Sequence, residues 1–197
     1  MFVIVIEYAL EKYPLRKELE GGIQCLVRPA ETSDQTAYEE FLTALPDDER
    51  MFVRHRFLDA PVFHKGFEEF DFEENLPLLA LADGRIVADA TLHQRQGGWK
   101  RHIGLVSLLT HPEYRNIGLA DLLINEMMVI AEHCGLSKLE AEFNGEREVA
   151  IKAFAMCGFR ELARVPKYVQ DMKAQDHDYV LMGIDVTTPE EYMMAGD

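Results

Sequence analysis

The sequence is short of basic residues, of cysteine and of long apolar runs, and each shortage excludes something. Lys and Arg number 20 against 35 Asp and Glu, a formal net charge of −15. Broad contact with nucleic acid needs clustered Lys and Arg to neutralise phosphates, and docking onto anionic lipid needs the same. Neither nucleic acid nor membrane is therefore an expected partner. The three cysteines, Cys25, Cys134 and Cys157, are an odd number without a Cys-x-x-Cys spacing. That pattern excludes a disulfide framework and a cysteine zinc site, and suits a reducing, cytoplasmic compartment. The seven histidines form no metal set: His55 and His64, like His93 and His102, stand nine apart in different elements or across a turn. No metal is expected, and the histidines read as structural or, for the His93 and His102 pair facing across adjacent strands, as an alternative base. The apolar start, residues 1–6, is far too short to span a bilayer and lacks the basic flank of a signal peptide. It reads as a short strand or as a contact in a homodimer.

What is present is enough for one large domain. A chain of 197 residues removes about 70% of its unfolded surface from water on folding. After an N-terminal extension over residues 1–22, a strand is expected at 23–28, stopped by Pro29. Thr32 and Gln35 have the spacing of a capping box, and Tyr38, Phe41, Leu42 and Leu45 fall on one helical stripe. Asp47 can cap a second short helix toward Arg54, and residues 57–75 are aromatic and acidic without a clean period. Two strands, 76–82 and 85–94, flank Asp83-Gly84, a strong hairpin signal. Gly97-Gly98 makes the next turn, beside Trp99, and a strand follows at 102–110. A helix from Leu119 to Cys134, a strand at 138–143, a helix ending at Gly158 and strands near 159–166 and 178–186 complete residues 23–186. Residues 187–197 form a polar tail. The order β-α-α-β-β-β-α-β-α-β-β describes a single α/β domain with a mixed sheet.

The segment Leu108-Leu109-Thr110-His111-Pro112-Glu113-Tyr114-Arg115-Asn116-Ile117-Gly118-Leu119-Ala120 carries the chemistry. A strand ends, a tight turn follows, and a helix opens with Gly118 and Ala120 in its first turn. Small residues let a ligand approach the backbone, and the free N–H groups and positive end of the helix favour an anion. Spacing alone leaves two readings open, a pyrophosphate cradle with Arg115 beside it or an ordinary strand-to-helix turn.

The run Arg115-x-x-Gly118-x-Ala120 resembles the Arg/Gln-x-x-Gly-x-Gly/Ala motif of the GCN5-related N-acetyltransferase (GNAT) family. Val27-Arg28-Pro29-Ala30 with Asp34 is similar to the opening strand and helix start of that family. His111 to Arg115 resembles its lead-in, and Ala150 through Gly158-Phe159 its second conserved helix and following strand. The likeness spans roughly residues 23–186. It implies a mixed, mostly antiparallel sheet flanked by helices, with acetyl-CoA as co-substrate. It further implies that Leu108, Leu109 and Thr110 offer backbone groups to pantetheine where two strands splay apart. The N–H groups of Asn116, Ile117, Gly118, Leu119, Ala120 and Asp121 would then hold the pyrophosphate.

An amine must lose a proton before it attacks a thioester, and a free Lys has a pKa of about 10.4. Glu140 and Glu142 lie on one side of the 138–143 strand, and Glu142 is the expected base, since family members place a catalytic Glu at this distance before the second conserved helix. Other members carry that Glu on the strand before the pyrophosphate loop, where this chain has Leu105; their Tyr acid, four residues before the Gly-Phe pair, is Phe154 here. Tyr168 is the expected substitute acid. Cys157, on the apolar face of its helix, reads as inert rather than as an acyl carrier. The resemblance thus implies a cytoplasmic N-acetyltransferase acting on a primary amine (small amine, peptide N-terminus or lysine) by direct attack in a ternary complex. The alternative is a non-catalytic acetyl-CoA sensor or regulatory partner. Residues 31–75 hold 13 Asp and Glu against four Lys and Arg, so the acceptor, small molecule or protein, is expected to be cationic.

Overall fold

The Asp83-Gly84 turn places Asp83 and Gly84 at φ 50° and 76°, the positive values a tight hairpin demands. It joins β3 (Asn75–Ala82) to β4 (Arg85–His93), the centre of the sheet. The computed structural model describes residues 6–50, 72 and 74–186. Before the hairpin come α1 (Ile6–Leu10), β1 (Leu15–Glu18), β2 (Gln24–Pro29), α2 (Gln35–Ala44) and α3 (Asp47–Arg50). After it come β5 (Ile103–Thr110), α4 (Leu119–His133), β6 (Lys138–Asn144), α5 (Glu148–Met156), β7 (Arg160–Gln170) and β8 (Asp176–Asp185). The strand order is β1-β2-β3-β4-β5-β6-β8-β7, antiparallel except where β5 runs parallel to β6. The expected mixed, mostly antiparallel sheet flanked by helices is the architecture found.

Each face of the sheet has its own core. Leu78, Ala80, Ala90, Leu92, Val106 and Leu139 pack with Leu123, Ile124, Met127 and Ile130 of α4 and Phe154 of α5. The opposite face packs Leu79 and Ile86 against Tyr38, Phe41 and Leu42 of α2. Both faces of β4 are therefore covered, and Ile86 through Leu92 are all buried. The Arg28 guanidinium meets Asp34 at 2.6 Å through both nitrogens, fixing the end of β2 to the start of the helix that covers the second face.

Several sequence expectations change. The N-terminal segment contributes α1 and β1, and β1 pairs with β2 at the edge of the sheet. The Tyr13 hydroxyl and Lys12 Nζ both reach Glu126 of α4 at 2.6 Å, tying this segment down, and burial with Glu126 raises the Tyr13 phenol pKa. The capping box is made one residue earlier than expected, by Glu31 and Asp34. Asp34 rather than Gln35 has the short carboxylate that reaches back to the Glu31 N–H at 2.8 Å. β7 continues past Pro166 to Gln170, which an edge strand tolerates because the proline lies at a register shift between Val165 and Val169. The expected contact of residues 1–5, the end of the short helix toward Arg54, His55, His64, most of the 57–75 segment and the polar tail 187–197 lie outside the described residues.

Candidate active site

The site begins with a parting of strands. β5 pairs with β6 only through Ile103–Lys138, Gly104–Leu139 and Leu105–Glu140. Beyond that point β5 follows β4 as far as Thr110, while β6 follows β8 as far as Asn144. The backbone edge of residues 106–110 that faces β6 thus has no strand partner among the described residues. Leu108, Leu109 and Thr110 lie along this opening; the backbone groups of Leu108 and Thr110 turn toward it, whereas those of Leu109, in phase with the His111 N–H that donates to the Val87 carbonyl at 2.8 Å, turn to β4.

The loop after β5 is held by side chains. His111 Nδ1 accepts from the Glu113 N–H at 3.2 Å, capping the turn at Pro112–Tyr114. Asn116 and Gly118 take positive φ, 59° and 81°, and Gly118 is the N-cap of α4 with no side-chain cap bond. The first-turn N–H groups of a helix have no acceptor within the helix, so those near Leu119, Ala120 and Asp121 remain for a ligand or water. The Ile117 carbonyl accepts from the Glu20 N–H at 3.2 Å, so the N-terminal segment also steadies the loop. These residues fit a pyrophosphate: a fifteen-residue helix aims its positive end at a turn of small residues.

Arg115 lies beside this turn, but its guanidinium is already engaged. Nη2 donates to the Thr110 carbonyl at 3.1 Å and to the Glu49 carboxylate at 2.8 Å, and Arg147 Nη1 meets the same carboxylate at 3.0 Å. Glu49 is 7% exposed. Arg115 therefore braces the loop against α3 and the turn before α5, and neither Glu49 nor Arg147 is visible as a partner in the sequence. Glu49→Gln is expected to lower stability by about 2 kcal/mol, since two half-buried cations lose their shared anion. Urea denaturation checks it; equal midpoints and slopes in the two proteins would exclude the brace.

Strand alternation and register place the other candidates on one face. Leu79, Asp89 and Leu109 face α2; one step along, Pro77, Thr91 and Ser107 align, and then Asn75, His93 and Leu105. Glu140 continues this row onto β6, and Glu142 follows it on the same side. Glu142 is exposed and accepts a hydrogen bond from Tyr179 Oη at 3.1 Å. The Tyr168 ring packs on the Tyr179 ring with centroids 5.8 Å apart, so Glu142, Tyr179 and Tyr168 form one group. Tyr179 was not marked by the sequence, because its place diagonal to Glu142 comes from the β6–β8 register. Glu140 is buried beside Lys100 Nζ at 3.5 Å.

Other expectations are relocated. His93 and His102 do not face each other: His93 pairs with Leu105, and the His102 carbonyl accepts from the Ser137 N–H at 3.0 Å. Leu105 and Phe154 are buried at 7% and 1% exposure. Burial and the Asp121 carboxylate push the Cys157 thiol up to about 11, which keeps it protonated and a poor acyl carrier. Trp99 is exposed at its turn. Among the described residues no group of His, Cys, Asp and Glu could hold a metal, and no helix is long and apolar enough to cross a membrane.

A family model described as acetyltransferase (GNAT) family matches residues 28–159. Among solved structures, the GNAT domain of S. lividans PAT superposes with a TM-score of 0.72 at 18% identity, covering 87% of this chain and 96% of that one. The yncA protein of Salmonella typhimurium, solved with its cofactor acetyl-CoA, gives a TM-score of 0.66 at 17% identity, covering 83% and 94%. A chimera of the spermidine N-acetyltransferase SpeG from Vibrio cholerae and hSSAT gives 0.65 at 16%, covering 86% and 98%.

Proposed function

Because this chain belongs to the acetyltransferase (GNAT) family, we propose that it transfers the acetyl group of acetyl-CoA to a cationic primary amine by direct attack in a ternary complex. The single observation that carries this reading is the parting of β5 and β6 directly before the Gly118 turn. It sets a strand edge that has no strand partner among the described residues next to a helix start, the pair of features that a pantetheine arm joined to a pyrophosphate requires. Leu108 and Thr110 would pair the arm, with Leu109 between them bonded to β4. The N–H groups of Asn116, Ile117, Gly118, Leu119, Ala120 and Asp121 would receive the pyrophosphate, with Arg115 fixing the loop that presents them. Bound acetyl-CoA supplies an activated acyl carbonyl; a backbone N–H near Leu109 would meet charge developing on its oxygen.

Glu142 stands where the strands have parted, on the same face as α2, which exposes Glu39 and Glu40. A cationic amine arriving at this face meets negative charge and then a carboxylate able to take its first proton. Tyr168, whose ring packs at a tilt against Tyr179 beside Glu142, would return a proton to the leaving sulfur. A small amine, a peptide N-terminus and a lysine all fit this chemistry. Loss of the family's usual groups at Leu105 and Phe154 favours one other reading, a non-catalytic acetyl-CoA sensor.

Acetyl-CoA at about a hundredfold its Kd is expected to stabilise the protein by about 2.7 kcal/mol, several degrees in Tm. Thiol release is then followed over polyamines, amino-terminal peptides and lysine peptides. No Tm shift with any acyl-CoA sinks both readings, and stabilisation without turnover on every acceptor leaves the sensor.

A further inference from the structure

The β5 side of the opening carries a second polar chain, on the same sheet face as Glu142. Asn75, His93 and Ser107 come from β3, β4 and β5, with Asn75 opposite His93 and Ser107 one step along opposite Thr91. Asn75 Oδ1 lies 2.6 Å from His93 Nδ1, and His93 Nε2 lies 3.1 Å from Ser107 Oγ. An amide oxygen only accepts, so Nδ1 carries the hydrogen and Nε2 accepts from the Ser107 hydroxyl. A hydroxyl, an imidazole and a third group that fixes its tautomer make a unit able to carry a proton away from a reacting atom.

Its place in the opening is specific. Leu105 and Glu140 are the last paired residues of β5 and β6. Ser107 and Glu142 each stand two residues beyond, on the same face, so they begin the two walls at equal depth. His93 is the cross-strand partner of Leu105. A basic nitrogen therefore lies beside the last paired residue of β5. Ser107 and His93 are both half-buried, open to a small substrate.

We propose that Ser107 and His93, oriented by Asn75, form the relay that takes the second proton from the attacking amine. The inference rests on the acetyl-transfer reading above. Glu142 takes the first proton, which frees the nitrogen lone pair. When the C–N bond forms, the nitrogen becomes positively charged and is itself readily expelled until it loses another proton. Ser107 Oγ accepts that proton as its own hydrogen passes to His93 Nε2, and the imidazolium keeps its Nδ1–H bond to Asn75. The C–S bond then breaks with its electron pair on sulfur. Of the two protons removed from the ammonium, one replaces the proton that sulfur receives and the other leaves to solvent. Ser107 is the catalytic residue here; His93 and Asn75 act through it.

The test uses the full chain, acetyl-CoA, and n-butylamine, glycinamide and 2,2,2-trifluoroethylamine as acceptors of falling basicity, with thiol release as readout. Ser107→Ala and His93→Gln are expected to lower kcat for n-butylamine about 10²-fold with KM for acetyl-CoA unchanged. Ser107→Thr, which keeps the hydroxyl, restores most of the rate. The loss shrinks toward trifluoroethylamine, because a weakly basic nitrogen gives its proton to water unaided. Losses equal for all three amines, a rate within twofold of wild type in both variants, or a threonine variant no better than alanine overturns the relay. A wild-type protein stabilised by acetyl-CoA that turns over none of the three, and no polyamine or peptide acceptor, overturns the acetyl-transfer reading, and the relay with it.

Discussion

Glu142→Gln is expected to lower the rate of amine acetylation at pH 7 by up to about 10³-fold. A primary amine with a pKa of about 10.4 is free base in only about one part in 10³ at that pH, so without a base the enzyme can use only that fraction. Glutamine keeps the shape and an oxygen that can still accept from Tyr179 Oη, now 3.1 Å from the carboxylate, so the loss reads the proton and not the packing. The pH dependence separates the cases. The variant's rate should climb about tenfold per pH unit as the free amine rises, and approach the wild-type rate near the amine's own pKa. A gap between the two proteins that stays constant from pH 7 to pH 10 would place the base elsewhere. A variant with the wild-type profile would show that Glu142 only borders the acceptor. Two features make Glu142 the stronger of the two carboxylates on its strand. It is exposed, whereas Glu140 is buried beside Lys100, and it stands past the last β5–β6 pair, where a substrate can reach it.

The elements that local chemistry dictates were legible in the sequence. Asp83-Gly84 marked the β3–β4 hairpin, and the stripe from Leu119 to Ala131 with Gly135 behind it marked α4. The Gly118 turn could be placed for the same reason: a glycine at positive φ before an amphipathic run is a local signal. β1 left no such mark, because Leu15–Glu18 is an edge strand whose Arg16, Lys17 and Glu18 all face solvent and give no alternation. The site walls depended on register, which sequence periodicity leaves free. Whether His93 meets His102 or Ser107 turns on which residue of β5 stands opposite it, and only the pairing with Leu105 decides that. Long-range ion pairs were further out of reach. Glu49 meets Arg115 across 66 residues of sequence, and nothing in an acidic helical turn such as Asp47–Arg50 announces a buried anion.

Asp89→Asn is expected to make the protein more stable at pH 8 while leaving it nearly unchanged at pH 4. Asp89 sits mid-strand in β4 opposite Leu109, and it accepts from Tyr38 Oη at 2.6 Å and Thr91 Oγ1 at 3.0 Å. Burial pushes its carboxyl up to about 6, against two hydroxyl bonds that pull it down. Desolvation wins because two neutral donors replace only part of the water shell that a full charge gives up. The sign follows from proton binding. Between about pH 4 and pH 6 the native protein holds a proton that the unfolded chain has released. The stability this group contributes is complete below its unfolded value of 3.8, falls as the pH rises through 6, and is then constant. A shift of about two pKa units corresponds to about 3 kcal/mol across that window. Asparagine is neutral throughout, keeps an oxygen for one hydroxyl and offers an N–H to the other, so the buried charge never forms. The difference between variant and wild type, measured by urea denaturation, should therefore open with rising pH to about 3 kcal/mol and level off above pH 7. A difference independent of pH would mean that Asp89 titrates as an ordinary carboxylate. The same measurement bears on the site, because the Tyr38–Asp89 bond joins α2 to the strand beneath Leu109. If Asp89 only anchors that helix, Asp89→Asn keeps its acetyl-CoA affinity, and the gain in stability at pH 8 comes without a loss of binding.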